Sequence, residues 1–353
     1  MFRVEMLPAQ RGDCIWLTYG EADDLHHVII DAGPSETIGT LVPELENRIR
    51  SLPKGSNRIE LLIVSHVDAD HIQGVVALLS DHRRVKLFKD VWFNGYRHLI
   101  GGLLGGPDGE YLTSALESEP SRWNKAFNGG PVVVPDDGPL PCRRLAGGLE
   151  ITLLTPTATA LRQLAPEWAE ACEKAGIVPG SGAAIPRSTW RRDQLLGFDV
   201  DILSAKPYRA DTSKPNTSGI ACIATYHGKS VLLLADTPAD AVLAGLDRRD
   251  PGRQRFAAVK VAHHGSRRNT NLSLCERVQS KTWLVSTNGA KFGHPDPECL
   301  ARIVVTQSKP TLVFNYVTPF VNDVIENAGD RYSVRLPRQR PDGTYAEGVS
   351  ISL

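Results

Sequence analysis

The stretch "LLIVSHVDADHIQG", residues 61–74, decides how the chain is read. Leu61, Leu62, Ile63 and Val64 form an apolar run suited to a strand buried on both faces. Four ligand-type side chains, His66, Asp68, Asp70 and His71, then fall within six positions. A solvated loop holds such residues at no cost, but the end of a buried strand holds them only if something neutralises them. His66, Asp68 and Asp70 alternate, so an extended or looped backbone turns them the same way, while His71 points elsewhere. One cation could be gripped by His66 and Asp68 and a second by Asp70 and His71. Imidazole with carboxylate suits zinc, and the carboxylate share admits manganese. An exposed acidic loop with incidental histidines is the better account of a lone HxD. It is the worse account of four such residues between a buried strand and the helix expected from "IQGVVALLSD".

Working outward, "HHVIIDAGP" (26–34) is echoed by "KSVLLLADTP" (229–238). Each is an apolar strand ending in an aspartate, Asp31 or Asp236. Each is followed by a second apolar strand ending in histidine: His66 in the first case, His263 and His264 of "KVAHHGS" in the second. Two β-rich halves built this way predict two similar sheets packed face to face, with their polar strand ends on one edge. Helices are expected at 158–174, 238–246 and after Pro297. "VKLFKDVWFNG" (85–95) reads as a strand. The C-terminus reads as a β-hairpin turning at Pro341, Asp342 and Gly343. Residues 99–147 and 176–215, rich in Gly, Pro and charge, read as insertions or lids.

Composition narrows the class. The 353 residues carry 40 Lys plus Arg against 40 Asp plus Glu, so no basic excess of the kind that marks many nucleic-acid binders is present. Contact with a polyanion would have to be local, through "STWRRDQ" (188–194), "RRDPGRQR" (248–255) or "RLPRQR" (335–340). Six scattered cysteines without a CxxC suit reduced thiols, and hence a cytoplasmic location, better than a disulfide frame. The N-terminus lacks the pattern of a signal peptide, and no run approaches the ~20 apolar residues of a membrane helix.

"SHVDADHIQG" resembles the metal-binding signature HxHxDH of the metallo-β-lactamase superfamily, in an HxDxDH variant. "GDCIWL" with "VIIDAGP", and "PNTSGIACIATYHGKSVLLLADTP", resemble that family's opening strands and the approach to its bridging aspartate. "KVAHHGS" and "NGAKFGHP" resemble the branch typified by the DNA-uptake protein ComEC and by phosphorylcholine esterases. The resemblance implies an α/β fold, an αββα four-layer sandwich. A catalytic domain would span residues 1–300, with insertions and a C-terminal β-rich extension over 301–353. It implies a two-metal site, zinc or manganese, with His66, Asp68 and Asp236 around one ion. Asp70, His71, Asp236 and one of His263 or His264, the latter preferred, would surround the other. Asp31 would orient the metal loop. Asp70, His263 and His294 are the expected catalytic groups, with His263 or His294 donating a proton to the leaving oxygen. Two departures stand out: Asp68 replaces the family's second signature histidine, and Asn216 replaces the histidine expected before the bridging strand. Both weigh against a β-lactam substrate.

The function that follows is binuclear metal-dependent hydrolysis of a phosphodiester, DNA and RNA included, by a metal-bridged hydroxide. The alternatives are a small-molecule hydrolase, such as a phosphocholine-type esterase or lactonase, and a metal-stabilised scaffold subunit of a larger complex. His98 is a further candidate to line the site.

Overall fold

The computed structural model describes residues 1–53, 59–100, 107–180, 198–290 and 293–353. Its strands in the first half are β1 (Phe2–Met6), β2 (Ile15–Glu21), β3 (Asp24–Ile30), β4 (Ile59–Ile63), β5 (Val91–Trp92), β6 (Cys142–Arg144) and β7 (Glu150–Leu153). The second half adds β8 (Cys222–Tyr226), β9 (Lys229–Leu233), β10 (Gln254–Arg255), β11 (Ala258–Lys260), β12 (Val278–Gln279), β13 (Thr282–Val285), β14 (Thr311–Phe314), β15 (Ser333–Arg335) and β16 (Val349–Ser352). One sheet has the order β16-β1-β2-β3-β4-β5 and the other β15-β14-β13-β11-β9-β8-β7-β6, with β10 and β12 as a separate parallel pair.

Strand alternation assigns the layers. Ile15, Leu17 and Tyr19 of β2 and Leu61 and Ile63 of β4 point into a core shared with Val231, Leu233, Ala258 and Leu284 of the other sheet. Their neighbours Trp16 and Leu62 face the opposite way. They pack under α1 (Leu41–Arg50) and α2 (Ala69–Leu78) through Leu41, Leu45, Ile72 and Val75. A third cluster joins Leu232, Val259 and Trp283 to Val242, Leu246, Leu300 and Ile303 of the helices Ala239–Arg249 and Pro297–Thr306. Helix, sheet, sheet, helix is the four-layer αββα order expected. Each fully buried Leu, Ile or Val contributes about 1.5–3 kcal/mol toward holding it together.

The sequence echo is a structural repeat. β2 and β3 are antiparallel and β4 lies parallel beside β3; β8 and β9 are antiparallel and β11 lies parallel beside β9. α1 connects β3 to β4, and the helix Ala239–Arg249 connects β9 to β11. The carboxyl ends of β3, β4, β9, β11 and β13 therefore release their loops toward one edge, the place where parallel sheets collect ligand-binding groups. Close backbone approach fixes the first turns of α2: a Cβ on Gly74 would meet the Ala32 carbonyl oxygen at 1.9 Å.

Several elements differ from expectation. Residues 85–95 do not form one strand: His82–Leu87 is a 3-10 helix capped by Asp81, whose side chain accepts from Arg83 N–H, Phe88 makes a single bridge to Ile59, and Val91–Trp92 is the short strand. The C-terminal strands do not pair with each other. β15 joins β14 and β16 joins β1, so the two cover an edge of different sheets, while the tight turn at 340–344 remains. The open edge groups of β1 and β14 supply more partners than an isolated hairpin would. The described part of 99–147 is packed structure rather than a lid: Leu112, Leu116 and Trp123 belong to the outer core and Val132 and Val134 to the inner one. Within 176–215, Phe198, Val200 and Leu203 are buried in the core that includes the helix Pro297–Thr306. No helix among the described residues is long and apolar enough to cross a membrane. The six cysteines are free thiols.

Candidate metal centre

Asp31 follows β3 in a left-handed conformation (φ 58°) and is 1% exposed. Its Oδ1 accepts from Ser65 N–H at 2.8 Å; its Oδ2 accepts from the Ser65 hydroxyl at 2.6 Å and from His71 Nδ1–H at 2.8 Å. This holds a proton on His71 Nδ1 and points Nε2 at Asp236 Oδ1, 3.3 Å away. His71 and Asp70 lie in the first turn of α2, which is held by Asp13 N–H on Asp70 O and Ala32 N–H on His71 O.

From the other half, Asp236 follows β9 and is buried. Its Oδ2 lies 4.0 Å from His66 Nε2, 3.5 Å from His263 Nε2 and 3.7 Å from His264 Nε2. His263 and His264 both take left-handed backbone (φ 46° and 54°), which costs on the order of 1–3 kcal/mol each and sends the adjacent rings in different directions. Gly265 (φ 93°) completes the turn, where a Cβ would meet Pro295 Cβ at 2.5 Å. His264 donates from Nδ1 to Ser286 O at 2.9 Å and presents Nε2 to Asp70 Oδ2 at 3.5 Å. His263 instead turns Nδ1 toward Asn269 Oδ1 at 3.1 Å and Asp211 Oδ2 at 3.4 Å.

The expected residues thus meet at one place. Ligand atoms of His66, His71 and Asp236 lie within 4.8 Å of one another, as do those of Asp70, His71 and His264. Asp68 sits outside both groups, half-exposed, with Oδ2 3.7 Å from His66 Nε2. Asn216 is buried and donates from Nδ2 to Asp211 Oδ2 at 2.6 Å. His294 is at the margin, its ring centroid 5.2 Å from that of His263 and its Nδ1 3.6 Å from Asp296 Oδ2. His98 lies elsewhere, buried edge-on against Trp123. Of the basic segments, Arg248 is bonded to the Pro135 and Gly138 carbonyls, Arg253 to Thr306 O and Arg335 to Ser350 O. Residues 188–194 lie outside the described residues.

The donors fit divalent cations. His66 Nε2, His71 Nε2, His264 Nε2, Asp70 Oδ2, Asp236 Oδ1 and Asn216 Oδ1 are all buried without a hydrogen-bond partner. So many inward-facing orphans would be costly unless something satisfies them. Burial opposes ionisation of Asp70 and Asp236, but the neighbouring histidines outweigh it and hold both carboxyls below the usual range. Burial likewise opposes charge on His264, yet Asp236 and Asp13 push its pKa up to about 10. His71 is raised against burial by Asp236 and Asp31. Protons on the imidazoles thus balance the carboxylates, and entering cations would displace them.

Four participants carried no signal in the spacing of the motifs: Asp13, Asp211, Lys260 and Asn269. Asp211 Oδ2 accepts from Asn269 at 3.0 Å as well as from Asn216. Lys260 had one available clue, a charge at the end of the apolar strand before "VAHHGS".

No protein-family model matches the sequence, and no curated protein matches it. Among solved structures, the chain is similar to the metallo-beta-lactamase fold protein YhfI from Bacillus subtilis. Identity there is 11%, coverage 100% of both chains and TM-score 0.42. It is also similar to zinc-bound PqqB from Methylobacterium extorquens, with 10% identity, 100% coverage of both chains and TM-score 0.42. At such identities and scores, the function rests on the site geometry.

Proposed function

We propose that this chain is a metal-dependent hydrolase of phosphoesters, a phosphodiesterase or nuclease of the ComEC-like metallo-β-lactamase type. The observation that carries the reading is the set of partnerless histidine and carboxylate atoms delivered to one edge by both halves of the fold. In this reading His66, Asp68 and Asp236 would hold one ion, and Asp70, His71, His264 and Asp236 would hold the other, zinc first and manganese second. Divalent cations held there supply Lewis acidity toward a phosphoryl oxygen and acidify water.

The chain's own residues do the rest. Asp31 keeps the His71 proton on Nδ1, so that Nε2 faces inward. Asp13, Asp31, Asp70, Asp211 and Asp236 are buried around the site, and Asp68 is half-exposed at its side. His263, 20% exposed at its side chain, has one nitrogen near Asp236 and the other held by Asn269 and Asp211. It is placed to pass a proton to a leaving oxygen on the open side, with His294 beside it. Asp68 and Asn216, standing where the resemblance expects histidine, make the first half-site richer in oxygen and favour phosphoester over β-lactam chemistry.

The test is turnover of bis-p-nitrophenyl phosphate, p-nitrophenyl phosphorylcholine and labelled single- and double-stranded nucleic acids by metal-loaded protein. The reading expects phosphodiester cleavage that is lost in Asp70→Ala and Asp236→Ala. Activity unchanged in both variants refutes the catalytic assignment. Full metal loading without turnover of any ester makes the protein a scaffold.

A further inference from the structure

Lys260 ends β11 on the face that looks between the sheets and is 1% exposed. Its Nζ donates to Asp13 Oδ2 at 2.6 Å and to Val261 O at 3.1 Å. Asp13, 2% exposed and 247 positions away in the chain, stands at the entry to β2. The pair therefore joins one half of the sandwich to the other beside the candidate metal centre. Stability alone does not explain it, because apolar residues of similar volume usually serve a core as well as a buried ion pair does.

The second oxygen of Asp13 supplies the explanation. Oδ1 is buried without a hydrogen-bond partner and lies 3.5 Å from Nδ1 of His264. The peptide N–H of Asp13 donates to Asp70 O at 3.3 Å. Ser286, whose carbonyl accepts from His264 Nδ1–H, donates its hydroxyl to the Gly12 carbonyl at 3.1 Å. Asp13 thus adjoins both members of the His264–Asp70 pair.

We propose that Asp13, oriented by Lys260, is a positioning residue for the candidate metal centre: its carboxylate lies 3.5 Å from His264 Nδ1 and, beside the Ser286 carbonyl that accepts the Nδ1 proton, keeps the ring turned so that Nε2 faces Asp70 and the cation. Lys260 decides which carboxylate oxygen turns toward the ring. The proposal rests on the reading of this site as a metal centre.

The test uses cobalt(II) as the probe, with affinity from competition against a chromophoric chelator and ligand geometry from the visible d–d bands. Thermal unfolding is followed in parallel. Asp13→Leu and Lys260→Met each strand a buried charge and lower the unfolding midpoint; the double variant recovers it. If the pair only holds the sheets together, recovery of stability restores cobalt binding. If Asp13 positions His264, the double variant binds cobalt about 10–100-fold more weakly, with shifted bands, despite its recovered midpoint. Wild-type affinity and spectrum in the double variant overturn the proposal. Should that variant not fold, Asp13→Asn, nearly the same size, is read by the same titration, and unchanged affinity overturns the proposal there too. A wild-type chain that binds no cobalt overturns the metal-centre reading and this proposal with it.

Discussion

Asp31→Asn separates orientation of the site from its ligands. The wild-type carboxylate accepts three hydrogen bonds, two from Ser65 and one from His71 Nδ1–H, at 2.6–2.8 Å. Asparagine fits the space and tolerates the left-handed backbone at φ 58°, so no strain enters. It returns one acceptor oxygen and one donor. With its NH2 in the Oδ1 position it meets Ser65 N–H donor to donor; in the Oδ2 position it meets His71 Nδ1–H. A buried donor without an acceptor costs about 1–3 kcal/mol. His71 relieves the second clash by moving its proton to Nε2, which removes the lone pair 3.3 Å from Asp236. Loss of such an orienting partner lowers metal affinity by about 10–100-fold, or about 1.4–2.8 kcal/mol. Urea unfolding of the apo protein reads the first number, and zinc titration against a chelator reads the second. Wild-type zinc affinity in Asp31→Asn refutes the argument, since the His71 tautomer would then not govern the site.

Zinc at about 100 times its Kd is expected to stabilise the protein by about 2.7 kcal/mol over the EDTA-treated form, and Asp236→Asn to abolish that gain, both read by urea unfolding. Gly265→Ala, which adds a Cβ against Pro295 in a left-handed turn, is expected to cost on the order of 1–3 kcal/mol; wild-type stability would refute the loop geometry. His27, buried on β3, accepts at Nδ1 from Trp16 Nε1–H, and burial, then the charges of Arg3 and His26, lower its pKa from 6.5 to about 4. The unfolded chain binds this proton first, so the stability His27 contributes is present above about pH 6.5 and is lost as pH falls through about 4, up to about 3 kcal/mol in all. His27→Gln should flatten the stability curve in that window, and equal slopes in variant and wild type count against the assignment.

The legible part of this protein was local and periodic. Alternating and continuous apolar runs mark β2, β3, β4, β8 and β9, and helical spacing marks the helix Ala158–Lys174 with its bounds intact. The Asp31–His66 and Asp236–His264 echo foretold a convergence that the topology supplies. The illegible part depends on contacts between distant residues. Asp13 and Lys260 look unremarkable until the sheets stack. The different directions of the His263 and His264 rings follow from two consecutive left-handed residues, which no propensity signals. Glycine, proline and charge in residues 99–147 suggested an insertion or lid, and Trp123 and its apolar neighbours bind the described part of the segment into the core. The strands β15 and β16 chose sheet edges over each other because those edges lay unpaired.

Diffraction from zinc-soaked crystals, recorded at the zinc absorption edge, puts the central claim to the proof. The account predicts anomalous density beside Asp236, with His66, His71 and His264 Nε2 atoms at about 2.0–2.1 Å from an ion and Asp70 completing the second position. Peaks confined to other parts of the surface, with these side chains bonded only to one another, contradict it.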